Sequence, residues 1–397
     1  MINNDALYLL KKNKLVFFIP TLSGGGAERV VSELSLNFPA SVEQHIVLFE
    51  NKISYPYKGQ IISLGLKSLG SQNFFVKPFE IFRRFLRFRK IVVELKPNAV
   101  ISFLQANTIN ILVGLSLPFR KHKVIISERT ATSKIDFIMK GLYGFVNRAV
   151  MKFVYRRADV IVAVSEHIKD ELGCMFMIDS TRIKVIYNPI DVAKITRLSR
   201  EKLDHPWFAQ EVPVIVNVGR LSEQKNQKVL LMALSQIQKE KKCRLLIIGE
   251  GVLKEDLQRL AVQLRIDQDV LFLGYQQNPF VYMARSTIFC LSSSFEGFPN
   301  ALAEAMAAGC PVIAFDCPSG PREILAPTLS MQDKIIGVKK AEYGILVENG
   351  NNQAMMAGIK MLLDNKALRE SYARSGKTRA LDFSPQKTIN SYLEVCG

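Results

Sequence analysis

The sequence predicts an α/β protein made of two doubly wound, Rossmann-like halves. Three observations predict it. Short β-branched runs alternate with longer amphipathic stretches. The short runs are continuously apolar, as strands are in a parallel sheet covered on both faces. The alternation stops once near mid-chain and then restarts. A length of 397 residues suits two domains, and 48% apolar residues supply two cores and exclude a disordered tail protein.

In the first half, Leu15–Pro20 reads as a strand, Ala27–Phe38 as a helix and Gln44–Phe49 as a strand. Ile61–Leu64 is a weaker strand. Ala99–Phe103, Lys123–Ser127, Asp159–Val164 and Lys184–Ile186 follow, with helical patterns between them. The pattern breaks at Asn188-Pro189-Ile190-Asp191, and a polar stretch with the only tryptophan, Trp207, runs to about Val212. Strands then return at Val214–Val218, Arg244–Ile248, Val270–Leu273, Thr287–Leu291, Pro311–Phe315 and Gly344–Val347, and three helices close the chain from Asn351 to Val395. The expected domains are residues 1–190, joined by a final helix over 384–397, and residues 191–383.

Several classes drop out early. No stretch reaches 18 uncharged apolar residues, so no spanning helix is expected. Met1 to Lys14 lacks an apolar core followed by a small-residue cleavage site, so no secretory signal is expected. The six cysteines form no C-x-x-C pair, and the four histidines are far apart, so no structural metal is expected.

The formal charge is +17, and it is unevenly placed. Residues 77–157 hold 17 basic and 4 acidic groups, net +13, while the segments before and after carry +2 each. A local anionic partner is therefore expected: lipid head groups, nucleic acid or a phosphorylated substrate.

Three motifs suit phosphate and sugar. Ser23-Gly24-Gly25-Gly26-Ala27-Glu28 follows the first strand and opens a helix, where backbone N–H groups face an anion. A tight turn with no ligand explains the same residues. Val218-Gly219-Arg220 ends a strand, and Lys225 lies five residues after Arg220. The pair can converge on a diphosphate, or be solvated loop charges. Glu296-Gly297-Phe298-Pro299-Asn300-Ala301-Leu302-Ala303-Glu304 places one carboxylate before a helix and one inside it. Carboxylates accept sugar hydroxyls, and N–H groups near Asn300–Leu302 can meet a phosphate. The bland reading is a helix-dipole acid plus a surface Glu.

Together these blocks, with Gly249-Glu250-Gly251 and Ala308-Gly309-Cys310-Pro311-Val312, resemble the GT-B glycosyltransferases of the retaining family 4. The resemblance covers nearly the whole chain. It implies two Rossmann-like domains facing across a cleft that holds a nucleotide-sugar. It implies that Arg220 and Lys225 hold the donor diphosphate, that Glu304 binds ribose, and that Glu296 faces the donor sugar, with Gly219 and Gly297 in the same loops. Gly274-Tyr275 matches the region beside the base, and Gly25 and Gly26 match the loop nearest phosphates and acceptor. One departure stands out. Where many relatives carry a His after the Lys123–Ser127 strand, this chain reads Ser127-Glu128-Arg129-Thr130. Arg129 is a candidate cation for the departing charge, and Glu128 a candidate contact for sugar hydroxyls.

The resemblance further implies retaining transfer by front-side attack, with the leaving phosphate assisting proton removal, and no glycosidase-type nucleophile. No metal or other cofactor is expected. Asp267-Gln268-Asp269 resembles the metal clamp of another glycosyltransferase fold, but it precedes a strand and reads as a turn.

From Phe79 the basic segment reads as an amphipathic helix. Phe82, Phe85, Leu86, Phe88, Ile81 and Val92 share one half-circle, with Phe79 at its edge, against Arg83, Arg84, Arg87, Lys90 and Glu80. The apolar face can dock on the sheet or dip into lipid, not both; docking is expected, leaving the basic face, with Phe74 and Phe75, either solvated or free for anionic lipid. A stretch over Phe137–Arg157 adds Lys140, Arg148, Lys152, Arg156 and Arg157.

The leading expectation is a peripheral enzyme on the cytoplasmic face of the inner membrane. It would move an N-acetylhexosamine or hexose from a UDP-sugar to a polyprenyl-diphosphate-linked or other lipid-linked saccharide in surface polysaccharide or glycan assembly. UDP is inferred from the Gly-Phe-Pro-Asn form of the Glu block. A GT-B nucleotide-sugar epimerase is a second reading. A nucleic-acid-binding protein is a third, suggested by charge alone; no nucleic-acid partner is expected.

Overall fold

A computed structural model describes residues 14–66, 77–118, 120–130, 151–153 and 155–397. The chain divides into two units, Met1–Pro189 with Pro385–Gly397, and Ile190–Ser384.

Unit 1 holds strands β1 (Lys14–Ile19), β2 (Glu43–Leu48), β3 (Gln60–Ser63), β4 (Ala99–Phe103), β5 (Lys123–Glu128), β6 (Val160–Ala163) and β7 (Ile183–Val185). They form one parallel sheet in the order β3-β2-β1-β4-β5-β6-β7. The strand period of two sorts β1 between two cores. Leu15, Phe17 and Ile19 pack on one face with α1 (Gly26–Asn37). Val16 and Phe18 pack on the other with α2 (Lys77–Leu95) and α3 (Ala106–Ser116). Phe18 and Phe88 stack with centroids 3.7 Å apart. Helix α4 (Glu166–Phe176) follows β6, with the Ser165 hydroxyl accepting from Ile168 N–H as its cap.

Helix α2 corrects the sequence reading. Its sheet-facing line runs Arg84, Phe88, Val92, with Phe85, Ile91 and Leu95 beside it. These positions recur every three to four residues, so position 84 must share the buried side whatever its polarity. Arg84 is 0% exposed, and its guanidinium lies 4.3 Å over the Phe49 ring. Burial holds its pKa below the usual arginine value, with Glu80 opposing. Arg84 is therefore not on the surface expected to meet lipid. Conversely, Phe79, Ile81, Phe82 and Leu86 do not dock; they are exposed, Phe79 by 62% and Phe82 by 55%. Arg83 pairs with Glu80 at 2.8 Å, Lys90 is largely exposed, and Arg87 donates to the Leu64 carbonyl. The outer face is thus aromatic and basic together. Phe74, Phe75, Lys140 and Arg148 lie outside the described residues.

Unit 2 opens with α5 (Val192–Ser199), capped by the Asp191 carboxylate accepting from Lys194 N–H. Its strands are β8 (Val214–Val218), β9 (Arg244–Ile248), β10 (Val270–Gly274), β11 (Ile288–Leu291), β12 (Val312–Phe315), β13 (Val338–Lys340) and β14 (Ile345–Val347). Their order is β10-β9-β8-β11-β12-β14-β13, and only β13 among them runs antiparallel to its neighbour. The β13 strand had no sequence signal. Around the sheet lie α6 (Lys228–Ile237), α7 (Lys254–Gln263), α8 (Phe280–Met283), α9 (Asn300–Ala307), α10 (Pro321–Leu325), α11 (Asn352–Asp364) and α12 (Lys366–Ala380). Asp267-Gln268-Asp269 forms a one-turn 3-10 segment ahead of β10, as expected, with Asp269 3.8 Å from Arg244.

The last helix, α13 (Pro385–Cys396), belongs to unit 1 and buries Ile389, Tyr392 and Leu393 against α1 and the sheet. The Ile190 N–H donates to the Phe383 carbonyl at 2.7 Å, so unit 2's first and last segments run side by side.

Candidate active site

Open α/β sheets bind ligands beyond the carboxyl ends of their strands, where the strand order reverses. In unit 2 that point lies between β8 and β11. The loops after β8, β9 and β10 meet there backbone to backbone. Gly219 N–H donates to the Ile248 carbonyl at 2.9 Å, Leu221 N–H to Glu250 at 2.9 Å, and Gly249 N–H to Gly274 at 2.8 Å. A Cβ on Gly249 would collide with the Gly219 carbonyl, and its φ of +139° suits glycine alone. A Cβ on Gly251 would collide with the Leu221 backbone. The Gly249-Glu250-Gly251 block therefore sets the β8 loop. Arg220 projects from that loop and is exposed.

The loops after β8 and β11 are laced together. Ser294 N–H donates to the Gln224 carbonyl at 2.8 Å, the Gln224 amide to Phe295 at 2.9 Å, and the Ser292 hydroxyl to Lys225 at 2.8 Å. Across this seam Lys225 Nζ meets Glu296 Oε1 at 2.6 Å. Glu296 is 5% exposed, so the ammonium compensates a carboxylate removed from water.

A third loop, unmarked by the sequence reading, supports the second. Glu296 N–H donates to the Pro318 carbonyl at 3.2 Å, and the Ser319 hydroxyl to Gly297 at 2.6 Å. Ser319 and Gly320 both take positive φ, and a Cβ on Gly320 would strike the Pro299 ring. The signal available was the turn chemistry of Pro318-Ser319-Gly320-Pro321. Helix α9 then starts at Asn300 with Pro299 as its cap residue. Glu304 lies one turn in and is 5% exposed. Leu302 N–H donates to the Pro299 carbonyl at 3.0 Å, and Asn300 and Ala301 are the helix's first residues. Phe298 packs edge-on against Phe383 at 5.1 Å. Tyr275, after Gly274 at the end of β10, is 73% exposed.

In unit 1 the strand order reverses between β1 and β4. Gly25 is the N-cap of α1 and Gly26 its first residue. The Glu28 carboxylate folds back into the space a Cβ on Gly25 would need. This helix start thus presents its own anion over Gly25.

The end of β5 carries a second polar cluster. Glu128 is buried. Tyr155 OH donates to its Oε2 at 2.7 Å, and Arg129 N–H to its Oε1 at 3.2 Å. Burial pushes the Glu128 pKa up, and the Tyr155 hydrogen bond opposes that. The Arg129 guanidinium is engaged within the unit. It donates to Ser127 Oγ at 3.0 Å and to Asn188 Oδ1, and it sits 5.8 Å over the Phe103 ring. Burial lowers its pKa, while Tyr392, Glu128 and Glu28 favour its charged form. Ser127 Oγ lies 3.4 Å from Tyr392 OH of α13. Tyr155 and Tyr392 were not singled out by the sequence reading, and Asn188 only as the start of the mid-chain break.

Known proteins resemble this chain in sequence and in fold. A family model described as Glycosyltransferase Family 4 matches residues 24–194, and one described as Glycosyl transferases group 1 matches residues 199–379. The chain is 32% identical over 382 residues, 96% of this chain and 98% of the relative, to a Campylobacter jejuni enzyme. That relative is named N-acetylgalactosamine-N,N'-diacetylbacillosaminyl-diphospho-undecaprenol 4-alpha-N-acetylgalactosaminyltransferase. Among solved structures, Anabaena HepE in complex with UDP-glucose matches with a TM-score of 0.72 at 17% identity, covering 96% of this chain and 98% of that one. The lipopolysaccharide outer core galactosyltransferase WaaB, in its apo form, matches with a TM-score of 0.69 at 21% identity, with the same coverage. These two likenesses are of fold.

Proposed function

Because the chain belongs to the family 4 glycosyltransferases of GT-B fold, and so is a glycosyltransferase, we propose that it moves an N-acetylhexosamine or hexose from a UDP-sugar to a lipid-linked saccharide. The product would enter a cell-surface polysaccharide or glycan. The observation that carries the donor assignment is the Lys225–Glu296 pair at the β8/β11 reversal, with Glu304 on the adjoining helix. Lys225 and exposed Arg220 supply cations for the diphosphate. Glu304 accepts ribose hydroxyls, and Glu296 a donor-sugar hydroxyl. Asn300 and Ala301, with the Gly219 and Gly297 backbones, line the phosphates, and Tyr275 flanks the base. The Anabaena neighbour was solved in complex with UDP-glucose, which supports UDP.

Transfer is proposed to retain configuration by front-side attack. The acceptor hydroxyl forms the new bond to the anomeric carbon as the bond from that carbon to the diphosphate oxygen breaks. Its proton passes to an oxygen of the departing diphosphate. Arg220 and Lys225 stabilise the charge that grows there, so positioning and electrostatics do most of the catalysis. Unit 1 is proposed to take the acceptor, with Glu128 accepting a hydrogen bond from a sugar hydroxyl and Arg129 holding the loop. Gly25 and Gly26 shape the same edge.

The Campylobacter relative's name specifies an undecaprenol diphosphate-linked substrate, which supports a polyprenyl-diphosphate-linked acceptor. The exposed face of α2 supports an anionic membrane as partner. Phe79, Phe82 and Leu86 enter the interface while Arg83, Arg87 and Lys90 meet head groups. No described helix is long and apolar enough to cross a membrane. The proposed place is peripheral, on the cytoplasmic face of the inner membrane.

The test is direct. The protein is incubated with a panel of UDP- and GDP-sugars and a short-chain polyprenyl-diphosphate disaccharide, with and without excess EDTA. A UDP-sugar product, unchanged by EDTA, is expected. No product from any UDP-sugar overturns the donor assignment, and loss of activity in EDTA overturns the metal-free mechanism.

A further inference from the structure

A buried carboxylate at the end of a strand is costly and calls for an explanation. Glu128 occupies such a place at the carboxyl end of β5, one strand out from the strand-order reversal. An apolar side chain there would pack at lower cost. What keeps the carboxyl in position comes from 27 residues further on, at Tyr155.

Tyr155 lies in the Phe137–Arg157 stretch whose charge points to a lipid surface, yet this aromatic turns inward. It is buried, whereas Phe153 two residues earlier is exposed. Its ring meets the Phe176 edge at 5.4 Å, and its hydroxyl reaches Glu128 Oε2 at 2.7 Å. The backbone behind it is also pinned. Ala158 N–H donates to the Tyr155 carbonyl at 3.2 Å, and Arg182 donates to the carbonyls of Arg156 and Ala158. Glu128 Oε1 is held separately by Arg129 N–H. Both carboxyl oxygens are thus fixed by donors from two segments, the Thr130 backbone adding to Arg129 on the near side, and a carboxylate's four lone-pair sites exceed these three donors.

We propose that Tyr155 is a positioning residue for Glu128, fixing the carboxylate that receives the acceptor saccharide's hydroxyl. This rests on the reading of Glu128 as the acceptor contact given above. Tyr155 touches no substrate; it acts through Glu128. The titratable and charged groups facing the carboxylate are Tyr155 from the segment before β6 and Arg129 from its own loop; Arg129 is in turn faced by Glu28 and Tyr392. Burial raises the Glu128 pKa, and the Tyr155 hydroxyl lowers it. The ionised carboxylate is the stronger acceptor for the sugar hydroxyl, and protonation turns one of its oxygens into a donor. Removing the hydroxyl raises its pKa, so activity would fade at a higher pH than before.

The test compares Tyr155→Phe, Glu128→Gln and the double variant in the full chain. Tyr155→Phe keeps the ring against Phe176, so folding is expected to hold. Acceptor kcat/KM is expected to fall about tenfold with donor KM unchanged, and the acid limb to move up about one pH unit. Glu128→Gln should remove the limb, and adding Tyr155→Phe to it should cost nothing more. Carbon NMR of labelled glutamate carboxyls gives a readout independent of turnover. The Glu128 signal should titrate above ordinary glutamates and shift further up in Tyr155→Phe. An unmoved Glu128 titration, or an unmoved acid limb beside an impaired Glu128→Gln, overturns the positioning role. Normal acceptor kinetics in Glu128→Gln overturns instead the acceptor reading on which it rests.

Discussion

Lys225 Nζ lies 2.6 Å from Glu296 Oε1, joining two loops 71 residues apart in sequence. Neither residue waits alone for substrate. An ammonium has three donors, so Lys225 can keep Glu296 while taking a phosphate oxygen. Lys225→Ala is expected to leave the fold in place and lower turnover at least about tenfold, near 1.4 kcal/mol. It also leaves a buried carboxylate without its cation. The melting temperature of Lys225→Ala should therefore fall below that of the double variant Lys225→Met/Glu296→Gln, where both charges are gone. Normal steady-state kinetics in a folded Lys225→Ala protein would remove Lys225 from the diphosphate site.

Gly249 sets the β8 loop through contact rather than chemistry. Gly249→Ala would drive a Cβ into the Gly219 carbonyl and strain a residue held at φ +139°. A loss of about 1–3 kcal/mol is expected from the strain, with a higher donor KM because Gly219 and Arg220 are displaced. Chemical denaturation and UDP titration measure the two effects. A variant with wild-type stability and UDP affinity contradicts the close approach.

His122 should make the protein sensitive to mild acid. It is buried, and burial, aided by the Arg120 charge, lowers its pKa to about 4, with Asp159 opposing. The unfolded chain therefore binds the extra proton first, between about pH 6.5 and 4. Stability is full above that window and falls as pH drops through it, by at most about 3 kcal/mol. Urea midpoints measured from pH 7 to 4 should decline less steeply in His122→Asn than in wild type. Parallel curves would show that His122 does not titrate in this way.

Helix α2 separates a surface role from a core role. Phe79→Ser/Phe82→Ser alters only exposed residues. Binding to phosphatidylglycerol vesicles should weaken at least about fivefold, since two buried aromatic rings would be lost from the interface, while the melting temperature stays put. Arg84→Ala should do the reverse, because Arg84 packs under the helix against Phe49. Unaltered vesicle binding by the double serine variant would dismiss this face as the lipid contact.

Much of the architecture was legible because strands buried on both faces are written as unbroken apolar runs. Val214–Val218 and Arg244–Ile248 appear in the structure as read. The β13 strand was not legible: Val-Lys-Lys at a sheet edge is half exposed and carries no apolar run. At the site, the residue types with obvious chemistry stood out, namely Arg220, Lys225, Glu296 and Glu304. Their supports did not. Ser319 and Gly320 act through backbone shape, and Tyr155 through one hydroxyl aimed at a carboxylate on another strand.

The sequence by itself determined the α/β class, the two-part organisation and the residue types proposed to handle phosphate and sugar. These follow from local period, turn chemistry and side-chain type, each read within a few residues. Only the tertiary structure decided which charges meet and which are buried. Lys225 meets Glu296, Arg84 enters the core and Phe82 stays outside because neighbours arrive from distant parts of the chain. The helical line through Phe88 and Val92 carries position 84 inward regardless of its charge. Polarity states what a side chain prefers; the packing of non-local elements decides where it is placed.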